Sequence, residues 1–182
     1  MPSSSSQWYF RKEDFRRTPS VLNNTLTLHE ELVMRAKACH FIQKVGHALK
    51  VSYTAIATAC VLFHRFYMRL PFGSQNHYKL LGGTCIYLAS KIEEDQRKLR
   101  DVALACARMA GSYESKPASE SDRLTKDWCN SIIAREELLL EYVCFDLTIQ
   151  HPYSLLVEWF ESLNVPSEIR PSAWAFANDS FQ

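Results

Sequence analysis

Leu80-Leu81-Gly82-Gly83-Thr84-Cys85-Ile86-Tyr87-Leu88-Ala89-Ser90-Lys91-Ile92-Glu93-Glu94 is the most informative stretch of the 182-residue chain. Leu81, Cys85, Leu88 and Ile92 repeat at the i, i+4, i+7 spacing of one helical face. A second line runs through Leu80, Thr84, Tyr87 and Lys91. Both lines are largely apolar, which predicts an interior helix covered on most sides. Gly82 and Gly83 each weaken a helix by about 1 kcal/mol, so their presence predicts a neighbouring backbone close by. The apolar run ends within one turn at Lys91 and a Glu pair. That change from core to charge marks the candidate functional site.

Working outward, Ser52 is an N-cap candidate for a helix over Tyr53 to Leu70. That helix is apolar nearly all round and is expected to pack directly on Leu80–Ile92. Pro71-Phe72-Gly73-Ser74 reads as a turn. Upstream, Thr27-x-x-Glu30 has the spacing of a capping box. Ala38, Ile42, Val45 and Leu49 follow as a stripe, and Arg35, Lys37, Gln43, Lys44 and Lys50 fall mostly on the other sides. Downstream, Leu99, Val102, Ala103, Cys106 and Met109 predict a short fourth helix. Gly111 to Lys126 reads as an exposed loop. A fifth helix is predicted from Leu124 or Trp128 to Phe145, with the stripe Trp128, Ile132, Leu139 and Val143. Glu136 falls within that stripe. An unpaired carboxylate in a dry site costs several kcal/mol, so Glu136 needs a partner.

At the N-terminus, Met1 to Gln7 reads as a tail, and Trp8-Tyr9-Phe10 as a segment that docks on its own domain or in part touches a partner. Arg11 to Arg17 predicts a short helix ended by Thr18-Pro19-Ser20. Past Gln150-His151-Pro152, Tyr153 to Leu163 is amphipathic, and Val165 to Gln182 continues a helical pattern. The expected organisation is a tail and short helix over 1–26, one helical bundle over 27–149, and the start of a second unit over 150–182. All of it is α-helical.

Composition narrows the function. Twenty-one Lys and Arg balance 20 Asp and Glu, which argues against a general nucleic-acid-binding surface. Six single Cys without a Cys-x-x-Cys pair predict buried reduced thiols, not a zinc site or a disulfide framework. No apolar run approaches the roughly 20 residues that span a bilayer. Phosphate-loop, metalloprotease and nucleophile-elbow motifs are absent from the sequence. His64, set among aromatics, reads as a packed and satisfied side chain. Glu93 and Glu94 point about 100° apart on a helix, so they do not face one substrate. No catalytic or metal-ligating set emerges, and no cofactor is expected.

Ala89-Ser90-Lys91-Ile92-Glu93-Glu94, with Glu136 and Phe145-Asp146-Leu147 downstream, resembles the cyclin box. Trp8-Tyr9-Phe10, Thr18-Pro19-Ser20, His64-Arg65-Phe66-Tyr67-Met68 and His151-Pro152-Tyr153 are similar to signature segments of the T- and K-type transcriptional cyclins. The resemblance covers about Trp8 to Asp179. It implies a five-helix cyclin box centred on Leu80–Glu94, followed by the beginning of a second, incomplete box. It also implies a nuclear regulatory subunit that forms a heterodimer with a cyclin-dependent kinase and activates it toward the C-terminal domain of RNA polymerase II. On this resemblance the kinase-binding residues are Lys91, Ile92, Glu93, Glu94, Glu136 and Phe145, with Lys91 and Glu136 as a charged pair. Neither membrane nor direct nucleic-acid contact is implied. The alternative is a cyclin-fold adaptor that binds nucleic acid or other transcription proteins without activating a kinase. Gln96 departs from the family pattern, standing where close relatives often carry Pro.

Overall fold

The computed structural model describes residues 7–73, 77–111 and 118–181. Met1–Ser6 of the expected tail, Ser74 of the expected turn and residues 112–117 of the expected loop lie outside them. A 3-10 segment, Lys12–Arg17, precedes α1 (Pro19–Leu22), α2 (Leu28–Leu49), α3 (Tyr53–Tyr67), α4 (Tyr78–Ile92), α5 (Leu99–Met109), α6 (Ala118–Tyr142), α7 (Tyr153–Ser162) and α8 (Arg170–Asp179). No strand is assigned among the described residues.

Local chemistry sets the boundaries of these helices. Thr27 and Glu30 close the capping box of α2, with the Glu30 amide donating to Thr27 Oγ1 at 3.3 Å and the Thr27 amide to Glu30 Oε2 at 2.8 Å. Ser52 caps α3 by accepting from the Ala55 amide at 3.2 Å. Pro19 does not merely end the preceding segment. It starts α1 from the first turn, where its missing N–H costs nothing. The expected loop over Gly111–Lys126 is corrected, because α6 begins at Ala118. Asp122 and Arg123, early in that helix, are exposed, and Pro117 stands just before the helix in the sequence.

The interior forms around α4. Leu81, Cys85, Ile86, Leu88 and Ala89 are buried, packed within one core with α2, α3, α5 and α6. The two glycines admit side chains, not the backbone expected. A Cβ on Gly82 would lie 3.2 Å from Ile42 Cγ1 and Phe41 Cδ1 of α2, and one on Gly83 would lie 2.9 Å from Cys106 Sγ of α5. Side chains fill the gap because α4 is wedged between helices on opposite sides. Each fully buried aliphatic or aromatic side chain contributes about 1.5–3 kcal/mol, so this five-helix core carries most of the stability.

A second correction concerns Arg35, which is 2% exposed and not on an outward side. Its Nη2 donates to Glu31 Oε1 at 2.6 Å and to the Tyr67 carbonyl at 2.9 Å. Thr18 Oγ1 donates to Glu31 Oε2 at 2.5 Å. The buried pair thereby ties the N-terminal segment to α2 and the end of α3. The charges are placed where the 31, 35, 38, 42, 45, 49 register continues the apolar stripe backwards. Burial of all six cysteines is corrected as well. Cys39, Cys60, Cys85 and Cys106 are buried, Cys129 is half-buried and Cys144 is exposed. Cys144 lies past the end of α6, in the turn that closes that helix.

Candidate functional site

Helix α4 ends in a turn whose backbone is specified atom by atom. The Asp95 amide reaches back to the Ser90 carbonyl at 2.9 Å, and Glu94 takes a left-handed φ of 55°. This is the six-to-one closure of a helix C-terminus, normally made with Gly. Glu94 is not a Gly, so the conformation costs about 1–2 kcal/mol. Asp95 helps to hold it: its Oδ2 accepts from the Ser52 amide at 2.6 Å and its Oδ1 pairs with Arg97 Nη1 at 2.6 Å.

Immediately before that turn, Lys91 Nζ donates to Glu136 Oε1 across α4 and α6. The two side chains are 31% and 21% exposed, so the pair lies at an edge of the bundle. Lys91 Nζ also sits 4.4 Å from the centre of the Tyr87 ring one turn earlier. Ile92 is half-buried beside it. Ile133, one turn before Glu136 on α6, is exposed. The edge therefore presents a neutralised charge pair set among partly exposed apolar groups.

The remaining candidates separate. Glu93 turns toward α3, where its Oε1 accepts from Thr58 Oγ1 at 2.6 Å. Thr58 has one hydroxyl hydrogen, so its oxygen is left to accept from His151 Nε2 at 2.8 Å. His151 Nδ1 is then a buried nitrogen without a partner among the described residues. Burial holds the His151 pKa below its usual value, while the nearby Glu93 carboxylate pulls it the other way. Glu94 is exposed. Glu94 thus faces solvent, while Glu93 is held within the domain. Phe145 is 67% exposed and stands in a second left-handed turn, with φ of 56° at Cys144 and 53° at Phe145. Its amide closes α6 on the Leu140 carbonyl at 2.9 Å.

Sequence reasoning missed what holds that turn. Trp8 Nε1 donates to Asp146 Oδ2 at 2.9 Å, and the Trp8 ring lies between the Arg65 and Arg69 guanidiniums, 4.8 and 4.5 Å from its centre. Arg65 Nη1 donates to the Asp146 carbonyl at 2.8 Å. The N-terminal aromatics thus dock on their own domain, through Trp8, while Tyr9 stays exposed. Thr58, a threonine in the middle of an apolar helix, was the one available sign of the Glu93–His151 link. His64 is packed as read. Its Nδ1 faces Arg35 Nη1 at 3.2 Å, and its Nε2 faces the Phe181 carbonyl at 3.1 Å.

This arrangement, a five-helix bundle centred on α4 with a charge pair at the α4–α6 edge, is a cyclin box. The model of the "Cyclin, N-terminal domain" family matches residues 6–148, and the chain belongs to that family. Within it the chain groups with cyclins of the T and K type. It is 37% identical over 178 residues to cyclin pch1 of Schizosaccharomyces pombe, covering 97% of this chain and 52% of that protein. Human cyclin-K is 30% identical, with 95% and 29% covered. Cyclin-T1-5 of Arabidopsis thaliana is 32% identical, with 97% and 31% covered. The chain thus spans about half the length of these relatives or less. A chain in the crystal structure of the yeast RNA Pol II CTD kinase CTDK-1 complex superposes with a TM-score of 0.78 at 17% identity, covering 95% of this chain and 54% of that one, and shares the fold.

Proposed function

We propose that this chain is a regulatory subunit that binds and activates a cyclin-dependent kinase acting on the C-terminal domain of RNA polymerase II, and that it works in the nucleus. The observation that carries the reading is the Lys91–Glu136 pair at the partly exposed α4–α6 edge, beside Ile92. The kinds of protein it resembles support it: cyclin-K and cyclin-T by sequence, and a CTD kinase complex by fold. The six residues Lys91, Ile92, Glu93, Glu94, Glu136 and Phe145 are the proposed kinase-binding set. Lys91, Ile92 and Glu136 are its centre. Glu93 is the member whose side chain is engaged within the domain. Residues 27–149 are assigned as the first box and 150–182 as the beginning of a second repeat.

The proposed mechanism is a population shift and not bond chemistry by the cyclin. A kinase works when its β3 lysine pairs with the glutamate of its αC helix. A surface that contacts αC only in the inward position favours that state by its difference in affinity for the two. Going from 1:99 to 99:1 takes about 5.5 kcal/mol, which an interface of roughly 1,200–2,000 Å² can supply.

Affinity-purify the chain, identify the co-purifying kinase by mass spectrometry, and assay that kinase on a CTD-repeat peptide. Glu136→Ala is expected to lower kinase stimulation at least tenfold. The melting temperature should shift only by about 2–4 °C, the equivalent of roughly 1 kcal/mol in a chain this size. A variant whose melting temperature collapses while its folded fraction stimulates normally makes Glu136 structural and sinks the site.

A further inference from the structure

Helix α2 carries a second surface that this reading does not use. His29, Val33, Lys37, His40, Lys44 and His47 recur at spacings of 4, 4, 3, 4 and 3, which places them on one stripe of an α-helix. All six are exposed. The stripe lies opposite the buried line of Glu31, Arg35, Ala38, Ile42 and Val45. From His29 to His47 it runs about 27 Å at the helical rise per residue.

From Lys37 to His47 the charge on this face is one-sided. Helix α2 has two carboxylates, both at its N-terminal end, where the exposed Glu30 lies within electrostatic reach of His29. Glu30 closes the capping box with Thr27, and Glu31 is buried against Arg35 and Thr18. A helix that merely faces water gains from opposite charges three or four residues apart and loses from like ones. Here Lys37–His40, His40–Lys44 and Lys44–His47 place only cationic or N–H-donating side chains at those distances. The chain as a whole carries a net charge of +1, so the stripe reflects segregation of charge and not a general excess of it. At its N-terminal half, Leu32 and Val33 add exposed apolar area, at 46% and 37%.

We infer that the outer face of α2 is a docking surface for a carboxylate-rich peptide segment, with an apolar residue of that segment against Leu32 and Val33. Charge complementarity selects the occupant, and the apolar end favours a peptide over a polynucleotide. The ammonium groups of Lys37 and Lys44 supply the long-range attraction. The three imidazoles supply N–H donors along an extended strand about eight residues long, at 3.3 Å per residue.

The test uses the intact chain without any kinase, so it stands or fails separately from the kinase reading. Fluorescence anisotropy measures binding of a labelled twelve-residue oligoglutamate peptide with one leucine near an end, against a labelled single-stranded oligouridine of equal charge. The peptide is expected to bind, more weakly as salt rises. Lys37→Glu/Lys44→Glu should weaken it at least tenfold, and Arg123→Glu/Lys126→Glu, the same charge change on α6, should leave it within twofold. Circular dichroism of each variant confirms folding, which these exposed positions should not disturb. Absence of peptide binding, binding indifferent to the α2 change, equal loss in the α6 variant, or tighter binding of the oligouridine would each overturn the assignment.

Discussion

Arg35 and Lys91 are both cations paired with a glutamate, and their surroundings give them opposite work. Arg35 is sealed in, bonded to Glu31 and to the Tyr67 carbonyl, and burial pushes its pKa down while Glu31 pushes it back up. Arg35→Ala leaves the Glu31 carboxylate buried with only Thr18 beside it, and breaking such a pair costs about 3–5 kcal/mol. Lys91→Ala opens a pair that solvent already reaches, which costs about 0–1 kcal/mol. Urea denaturation of the two variants should therefore show a large fall in midpoint for Arg35 and a small one for Lys91, with the order reversed in kinase stimulation. A comparable loss of stability in both would place Lys91–Glu136 among the structural pairs. The Lys91–Glu136 contact was legible because each residue interrupts an apolar stripe. Arg35 was not, although Glu31 and Arg35 continue the register of Ala38, Ile42 and Val45. Charged residues at the start of a stripe look like its solvent edge unless the segment that covers them is known, and here the cover is the distant Thr18.

Helix α4 shows how an element can be read correctly and its packing misread. Its apolar lines foretold burial, yet sequence could not say that Phe41, Ile42 and Cys106 would fill the space over Gly82 and Gly83, since those side chains come from other helices. Gly83→Ala tests the packing. Helix propensity alone predicts a gain of about 1 kcal/mol, but the new methyl would sit 2.9 Å from the fully buried Cys106 Sγ. Overpacking costs about 1–3 kcal/mol, so the variant should melt several degrees lower. A rise in melting temperature would mean that α5 yields easily. The link between α4 and the region beyond the first box also responds to pH. Because burial lowers the His151 pKa from its usual 6.5, the fold favours the neutral ring. That contribution is complete above pH 6.5 and is lost as pH falls through the lower, folded-state value. Hydrogen exchange in α7 and α8 should quicken between pH 7.5 and 5, after correction for intrinsic rates, and His151→Gln should remove much of the difference.

Across the whole chain, local patterning foretold the five-helix bundle because each of its helices buries a stripe of its own against a neighbour. The relation of 150–181 to that bundle depended on contacts between segments far apart in sequence, which periodicity does not encode. Tyr153 is buried, donates to Asn178 Oδ1 at 2.8 Å and stacks on Trp174 at 4.9 Å, and Ala177 is buried too. Trp159 and Phe176 remain exposed, as do Leu155, Leu163 and Ile169. The α7–α8 pair is therefore held by one face and open on the other. Its hold on the bundle runs through a few groups: His151 on Thr58, and Phe181 on His64. Regions with few buried apolar contacts open at lower free energy than the core, and exposed apolar patches of several hundred Å² promote association. A protein ending at Ile149 should accordingly fold, retain the Lys91–Glu136 edge and bind the kinase identified by co-purification. The 182-residue chain should exchange α7–α8 amides faster than those of α2–α6 and self-associate more readily in sedimentation. Protection of α7–α8 equal to that of α4 in a monomeric sample would show instead that the one-sided docking is as firm as the core, and that the first box and the residues after it unfold as a single unit.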